Sequence, residues 1–360
     1  MVKGAWLKKI AVFLGFASPG KTRKASPPRS SAGKAGNSDA TATEAEDGEK
    51  PKLKSKQGVG NLDSPRQGRT PFDSRERELL NRITARVEKG DFDLPHLPAT
   101  GMALANLAGK PGVEIGRVVE LISSDPSLAS ELLRTANSVL YATHVPAETL
   151  NEAVMRIGLR GLRSMIFSVS VKGTMLRVRG LEAYSQEIWR QAYSVASIAR
   201  RIAPLVGIEK EHAFLVGLLH DVGKIVLLSM LSKEAKEFGS ASPATVGAVF
   251  HVHHERAGRM LGERWRLSEE IISVAGNHHH FMENVDYGHS AALASLSHKL
   301  DLHLSFDDDP GYRALVICDE FDYLGVPEGR RGAVLEQARR CFEDTTSEAA
   351  GEDPDEARAA

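Results

Sequence analysis

The sequence predicts an all-α protein, and three observations carry that prediction. From residue 72 to residue 342, apolar residues recur at helical spacing in block after block. No run of strand length alternates apolar with polar residues. Glycine, proline and short acids stand where such blocks would begin and end. With 360 residues, 42% hydrophobic and 26% charged, the chain has the balance of a globular protein and room for one large domain with extended ends.

The elements follow in order. Residues 76–89 are amphipathic and stop at Gly90. Residues 97–108 put Leu104, Leu107 and Ala108 on one stripe, with Pro98 near the start, where proline is tolerated. A short apolar helix over 118–123 closes at Asp125-Pro126, and a helix over 128–139 follows. Helices over 150–157 and 162–171 flank a turn at Gly158. A long helix over 181–206 turns Trp189, Val195, Ile198, Ile202 and Leu205 inward. The apolar run 212–231 is interrupted by a compact polar turn, and helices over 246–265, 269–278, 290–302, 312–324 and 331–341 complete the set. No internal repeat of fixed period occurs.

The ends differ from this core. Residues 1–70 hold 14 basic and 6 acidic side chains, whereas residues 343–360 hold 7 acidic and 1 basic, so a core of net charge -3 lies between a basic head and an acidic tail. Such a core gives no reason to expect nucleic acid as a partner. In residues 1–17, Trp6, Ile10, Phe13 and Leu14 share a face that Lys8 and Lys9 avoid, as in a basic amphipathic helix that docks on an anionic membrane or on a partner. A helix packed on the protein's own core and a short signal peptide stay open as alternatives. Residues 18–72 contain almost no large apolar side chains and read as a disordered linker, and 343–360 as a disordered acidic tail. Two cysteines, Cys318 and Cys341, exclude a disulfide scaffold and a thiolate zinc site, and fit a reducing, cytoplasmic setting.

Histidine carries the functional signal. Of the 13 histidines, 11 lie beyond residue 200, clustered around His220-Asp221, His254-Glu255, His278-His279-His280 and His298. A His-Asp pair embedded in the apolar run AFLVGLLHDVGKIVLL must find partners or a metal, because burying an unpaired carboxylate is costly. Gly223 clears space for close approach, and Lys224 places an ammonium where a phosphate would sit. Imidazoles with a carboxylate suit Fe, Mn or Zn, and such an ion activates water for phosphoester hydrolysis. The plain alternative is that His220 and Asp221 hydrogen-bond each other and tie helices together. His144, His212 and His289 read as surface or capping groups, Trp189 and Trp265 as packing residues, and Asn137 and Ser138 as satisfying a helix end.

The segments LPHLPATGMALANLA, ELISSDPSLASELLRTANSVLY and LNEAVMRIGLRGLRSMIF resemble the first half of an HDOD domain. The second half, AFLVGLLHDVGKIVLL, HHERAGRMLGERW and IISVAGNHHH, is similar to the same family over about residues 90–342. The resemblance implies an all-helical fold of two lobes, 73–180 and 181–342. It also implies a role in bacterial signal transduction without an expected enzymatic activity. Two departures from the related HD phosphohydrolases follow from it: Gln191 stands where a first metal-binding His would be, and His298 where a closing Asp would be. The Gly-Tyr-Pro signature of cyclic-dinucleotide phosphodiesterases is missing after His280. The expected metal set is therefore a degenerate one of His220, Asp221, His254, His278, His279 and His298, with Lys224 as a phosphate contact. Three readings result: a non-enzymatic regulator that binds other signalling proteins, a metal-dependent phosphohydrolase acting on a nucleotide, and a nucleotide sensor.

Overall fold

The structure is a computed structural model that describes residues 72–350 apart from 92–93, 97–113, 139, 142, 144 and 239–240. The amphipathic head and most of the linker, the helix expected over 97–108 and the end of the acidic tail lie outside the described residues. Among the described residues every regular element is a helix, as the sequence predicts.

Local chemistry sets the boundaries. Helix α1 (Ser74–Lys89) opens on a capping box between Asp73 and Glu76 and closes at Gly90, whose φ of 68° only glycine takes readily. Helix α2 (Ile115–Ser123) leads to α3 (Pro126–Ala136), where the Asp125 carboxylate accepts hydrogen bonds from the backbone N–H groups of Ser127 and Leu128. A second capping box, Thr149 with Glu152, starts α4 (Leu150–Met175), and Gly158 breaks it at φ 72°, ψ 166°, where the sequence places a turn. Helices α5 (Glu182–Ile202), α6 (Lys210–Leu219), α7 (Gly223–Phe238), α8 (Pro243–Arg264) and α9 (Glu269–Asn277) follow. A 3-10 turn over His278–Glu283 precedes α10 (Gly288–Ser305), α11 (Asp309–Ala314), α12 (Asp319–Tyr323) and α13 (Glu328–Ala350).

Most helix ends move by a few residues from the sequence reading, and two differences are larger. The helix expected over 312–324 is broken, because Cys318 takes an extended conformation (φ -76°, ψ 152°) between α11 and α12. Helix α13 runs on to Ala350, eight residues into the stretch assigned to the tail on charge alone, because Asp344 is buried there and Thr345 and Thr346 return hydrogen bonds to the carbonyls of Cys341 and Phe342.

Helices α2, α3 and α4 enclose a core of their own around Ile122, Leu132, Leu162 and Ile166. Helices α5 to α13 form the larger mass, in which Leu218, Val226, Phe250 and Leu261 make one core and Ile198, Leu293, Leu296 and Phe321 another. Helix α1 falls within 73–180, the stretch assigned to the first lobe, yet it buries Leu79, Ile83 and Val87 in the core of α7 and α8. Arg82 and Arg86 fix it there through Glu234. The run Lys210–Glu234 is long and apolar enough to cross a membrane by composition, but 89% of its apolar window is buried and the turn at His220 divides it. It is a core element of this domain.

A clasp joins the first lobe to α5 and α6. The Tyr141 hydroxyl reaches both Glu211 carboxylate oxygens at 3.0 Å, Arg200 Nε donates to Glu211 Oε1 at 3.0 Å, and the guanidinium lies 4.1 Å from the Tyr141 ring centroid. Burial pushes the Tyr141 phenol well above its ordinary range, so it stays a donor.

Candidate metal centre

The centre is built where side chains are missing. Residues 220–222 form the turn between α6 and α7, and Gly223 follows directly. A Cβ on Gly223 would lie 1.9 Å from the His254 carbonyl oxygen and 2.4 Å from the Gly258 nitrogen. A Cβ on Gly258 would lie 2.7 Å from the Ala275 carbonyl oxygen. Only glycines allow the turn, α8 and α9 to touch backbone to backbone. That contact brings His220 and Asp221, His254, and His278 together from three places in the chain, and α10 adds His298.

Asp221 is the hub, 4% exposed. Its Oδ2 faces His220 Nε2 at 3.2 Å and His298 Nδ1 at 3.6 Å, and it pairs with the Lys224 ammonium. Its Oδ1 faces His254 Nε2 and His278 Nε2, each at 3.6 Å. On the outer side, His279 Nε2 lies 3.1 Å from His254 Nε2, and Glu255 accepts from the His279 backbone N–H at 3.1 Å. The donors fall into two sets that share His278: His220, Asp221, His278 and His298, and His254, Glu255, His278 and His279, each set's atoms within 4.8 Å of one another.

Hydrogen bonds to the backbone fix the tautomers. The Nδ1–H groups of His220, His254 and His278 donate to the carbonyls of Gly217 (2.7 Å), Phe250 (2.6 Å) and Val274 (3.2 Å), so each presents an Nε2 lone pair inward. His298 Nδ1–H then donates to His220 Nε2 at 2.8 Å, and His279 Nε2–H to His254 Nε2. Burial holds the rings neutral: His254 is lowered to about 4, and His278 and His298 sit well below the usual histidine range. Burial would raise Asp221, but the Lys224 ammonium holds its carboxyl well below the usual carboxylate range.

This leaves two acceptors with no donor between them. Asp221 Oδ1 and His278 Nε2 are buried and lack a hydrogen-bond partner. Orphaned acceptors at such depth are costly, and a cation is what relieves them. Donors about 2.0–2.2 Å from one ion stand roughly 3.0–3.6 Å apart, so the 3.6 Å separations of Asp221 Oδ1 from His254 and His278 match a shared ion. The neutral imidazoles and carboxylate therefore fit Fe, Mn or Zn.

All six residues singled out as ligands in the sequence meet here; His279 stands exposed at the rim, and the others are buried. Gln191 does not join by hydrogen bond: it is buried on α5, 4% exposed, and among the described residues it makes no such bond to the histidines. Its neighbour Arg190 faces Asp301 at 3.6 Å. Asp301 escaped the sequence reading. It is fully buried, and both its oxygens lack a hydrogen-bond partner. Its signal was the one acid of α10, three residues after His298. His212 pairs with Glu270 at 2.9 Å and His289 packs on Tyr323, so both are outside the centre.

A two-lobed helical fold with a buried His-Asp turn at a helix junction defines an HD-related helical domain. The family of HDOD domains matches residues 94–281, just over half of the chain, and the chain belongs to that family. A Treponema pallidum protein of uncharacterised role is 30% identical over 207 residues, which span 55% of this chain and 40% of that one, so the match takes in less than half of the relative. Among crystal structures, a candidate metal-dependent phosphohydrolase from Shewanella amazonensis SB2B superposes with TM-score 0.59 at 21% identity, covering 76% of this chain and 99% of that one. An HDOD domain protein of unknown function from Geobacter sulfurreducens gives 0.52 at 24% identity, covering 73% and 98%. A candidate signal transduction protein from Marinobacter aquaeolei VT8 gives 0.55 at 19% identity, covering 76% and 65%. At these identities the structures share a fold with this chain.

Proposed function

We propose that this HDOD protein is a regulatory signalling module whose centre binds a divalent transition metal, Fe, Mn or Zn, without turning over a substrate. The observation that carries the metal is the pair of orphaned acceptors, Asp221 Oδ1 and His278 Nε2, 3.6 Å apart. Asp221 and His278 would hold it, with His220 and His298 on one side and His254 and His279 on the other. When bound, the ion supplies charge that links three helix segments. Hydrolysis needs an open coordination position and room for substrate, whereas His220 and His278 are fully buried and Lys224 already occupies Asp221. Output by binding another signalling protein is supported by Val145 and Met155, whose apolar side chains stand 70% and 71% exposed on the first lobe.

The Lys224 ammonium supports a second reading, a phosphohydrolase acting on a nucleotide, in which it would turn from Asp221 to a phosphate. One experiment separates them. Elemental analysis of the purified full chain and of Asp221→Asn is paired with a phosphodiesterase assay on bis(p-nitrophenyl) phosphate. Near-stoichiometric metal that Asp221→Asn loses, with no turnover, supports the regulator. Metal-dependent turnover supports the hydrolase, and a metal-free protein after growth with Fe, Mn and Zn overturns both.

A further inference from the structure

A second cavity lies on another face of α7. It encloses about 780 Å³, within the range of small-molecule sites. Ile225, Ser229, Ser232 and Lys233 form one wall, and their spacing puts them on a single face of the helix. The link from α4 to α5 forms another, with Arg177, Val178, Arg179 and Leu181. Pro95 and His96 close a third side, and the Trp265 indole N–H holds the Pro95 carbonyl at 2.7 Å.

The chemistry of this lining is one-sided. Val178, Leu181 and Ile225 are buried and give an apolar floor. Arg177, Arg179 and Lys233 bring three positive charges, and among the described residues no acidic side chain lines the cavity. Among the described residues no ion pair joins Arg177 or Arg179 to a carboxylate, although the core as a whole carries net -3. The link is braced by the Ser232 hydroxyl, which donates to the Arg179 carbonyl at 2.5 Å, and Gly180 turns it at φ 80°. Unpaired guanidiniums over an apolar floor recognise a phosphate attached to a flat apolar body.

We propose that this cavity is a nucleotide-binding site, separate from the His-Asp centre, with Arg177 and Arg179 on the phosphates and the base against Val178 and Ile225. The chain's nucleotide, where the sequence suggested one, then belongs on this face of α7 and not at Lys224. The inference does not depend on the metal reading.

The test is fluorescence titration of the full chain with methylanthraniloyl-GTP and methylanthraniloyl-ATP. Saturable binding is expected to be displaced by unlabelled nucleotide, to weaken with salt, and to be equal before and after chelation by EDTA. The double substitution Arg177→Ala/Arg179→Ala, at exposed positions, is expected to weaken binding by at least about tenfold while thermal melting and metal content stay those of the unmodified chain. Ser229→Trp, which puts an indole into the cavity beside Ile225, is expected to weaken binding by at least about tenfold. Affinity unchanged by the double substitution, binding lost on chelation, or no saturable binding at millimolar nucleotide each overturns the proposal.

Discussion

Replacing Gly223 by alanine tests the packing on which the centre depends. The added methyl would lie 1.9 Å from the His254 carbonyl oxygen, and a Cβ essentially never approaches closer than 3.0 Å. The turn and α8 must therefore separate by at least 1.1 Å, and since the obstructing atoms are backbone, no rotamer change relieves the clash. Overpacking of a tight interior costs about 1–3 kcal/mol, and a backbone clash of this depth belongs at the top of that range. About 3 kcal/mol corresponds to a fall in Tm of roughly 6–12 °C for a domain of this size. The same retreat moves Asp221 from His254, now 3.6 Å apart, by more than the ±0.2 Å or so that metal distances tolerate. Calorimetry and elemental analysis of Gly223→Ala read both effects. A variant that melts within about 2 °C of the unmodified chain and keeps its metal would refute the reasoning.

Three further outcomes are expected. Glu211→Ala leaves Arg200 inside the clasp without its carboxylate and should cost about 3 kcal/mol in urea denaturation, whereas Tyr141→Phe, which removes one hydroxyl, should cost about 1. Asp125→Ala removes the acceptor for two backbone N–H groups at the start of α3 and should cost about 1 kcal/mol. Acid should destabilise the metal-free protein: His254 is lowered to about 4 in the folded chain, so between pH 6.5 and 4 the unfolded chain binds a proton that the folded one refuses. Stability then falls as pH falls, by up to about 3 kcal/mol from His254 alone, with His278 and His298 adding in the same sense. Denaturation midpoints that stay flat from pH 7 to about pH 4.5 would contradict this.

The helices were readable because their signals are local. Gly90, Asp125-Pro126, Gly158 and the alternation of apolar stripes need only neighbouring residues to be interpreted. The histidines were readable because His220-Asp221 in an apolar run cannot be left unpartnered, and few other side chains could answer it. Long-range choices were not readable. The stripe on α1 says that it packs, not that it packs on α7 and α8. Asp301 looks like any acid near a helix end until α5 supplies Arg190 opposite it. The tail's charge suggested disorder from residue 343, while burial of Asp344 against the rest of the domain carries α13 onward. Gln191 illustrates the limit of reasoning by motif position: the resemblance names the slot, and only the packing shows whether its occupant bonds to the histidines.

Helix α6 begins beside Glu211 and ends at His220, nine residues on, a span of about 14 Å. A helix that short resists compression along its axis far better than the loops at its ends. It therefore works as a pushrod between the place where Tyr141 grips the first lobe and the place where Asp221 meets the imidazoles. A shift of the clasp along the axis of α6 would therefore be carried to the turn at His220, and a shift of that turn back to the clasp.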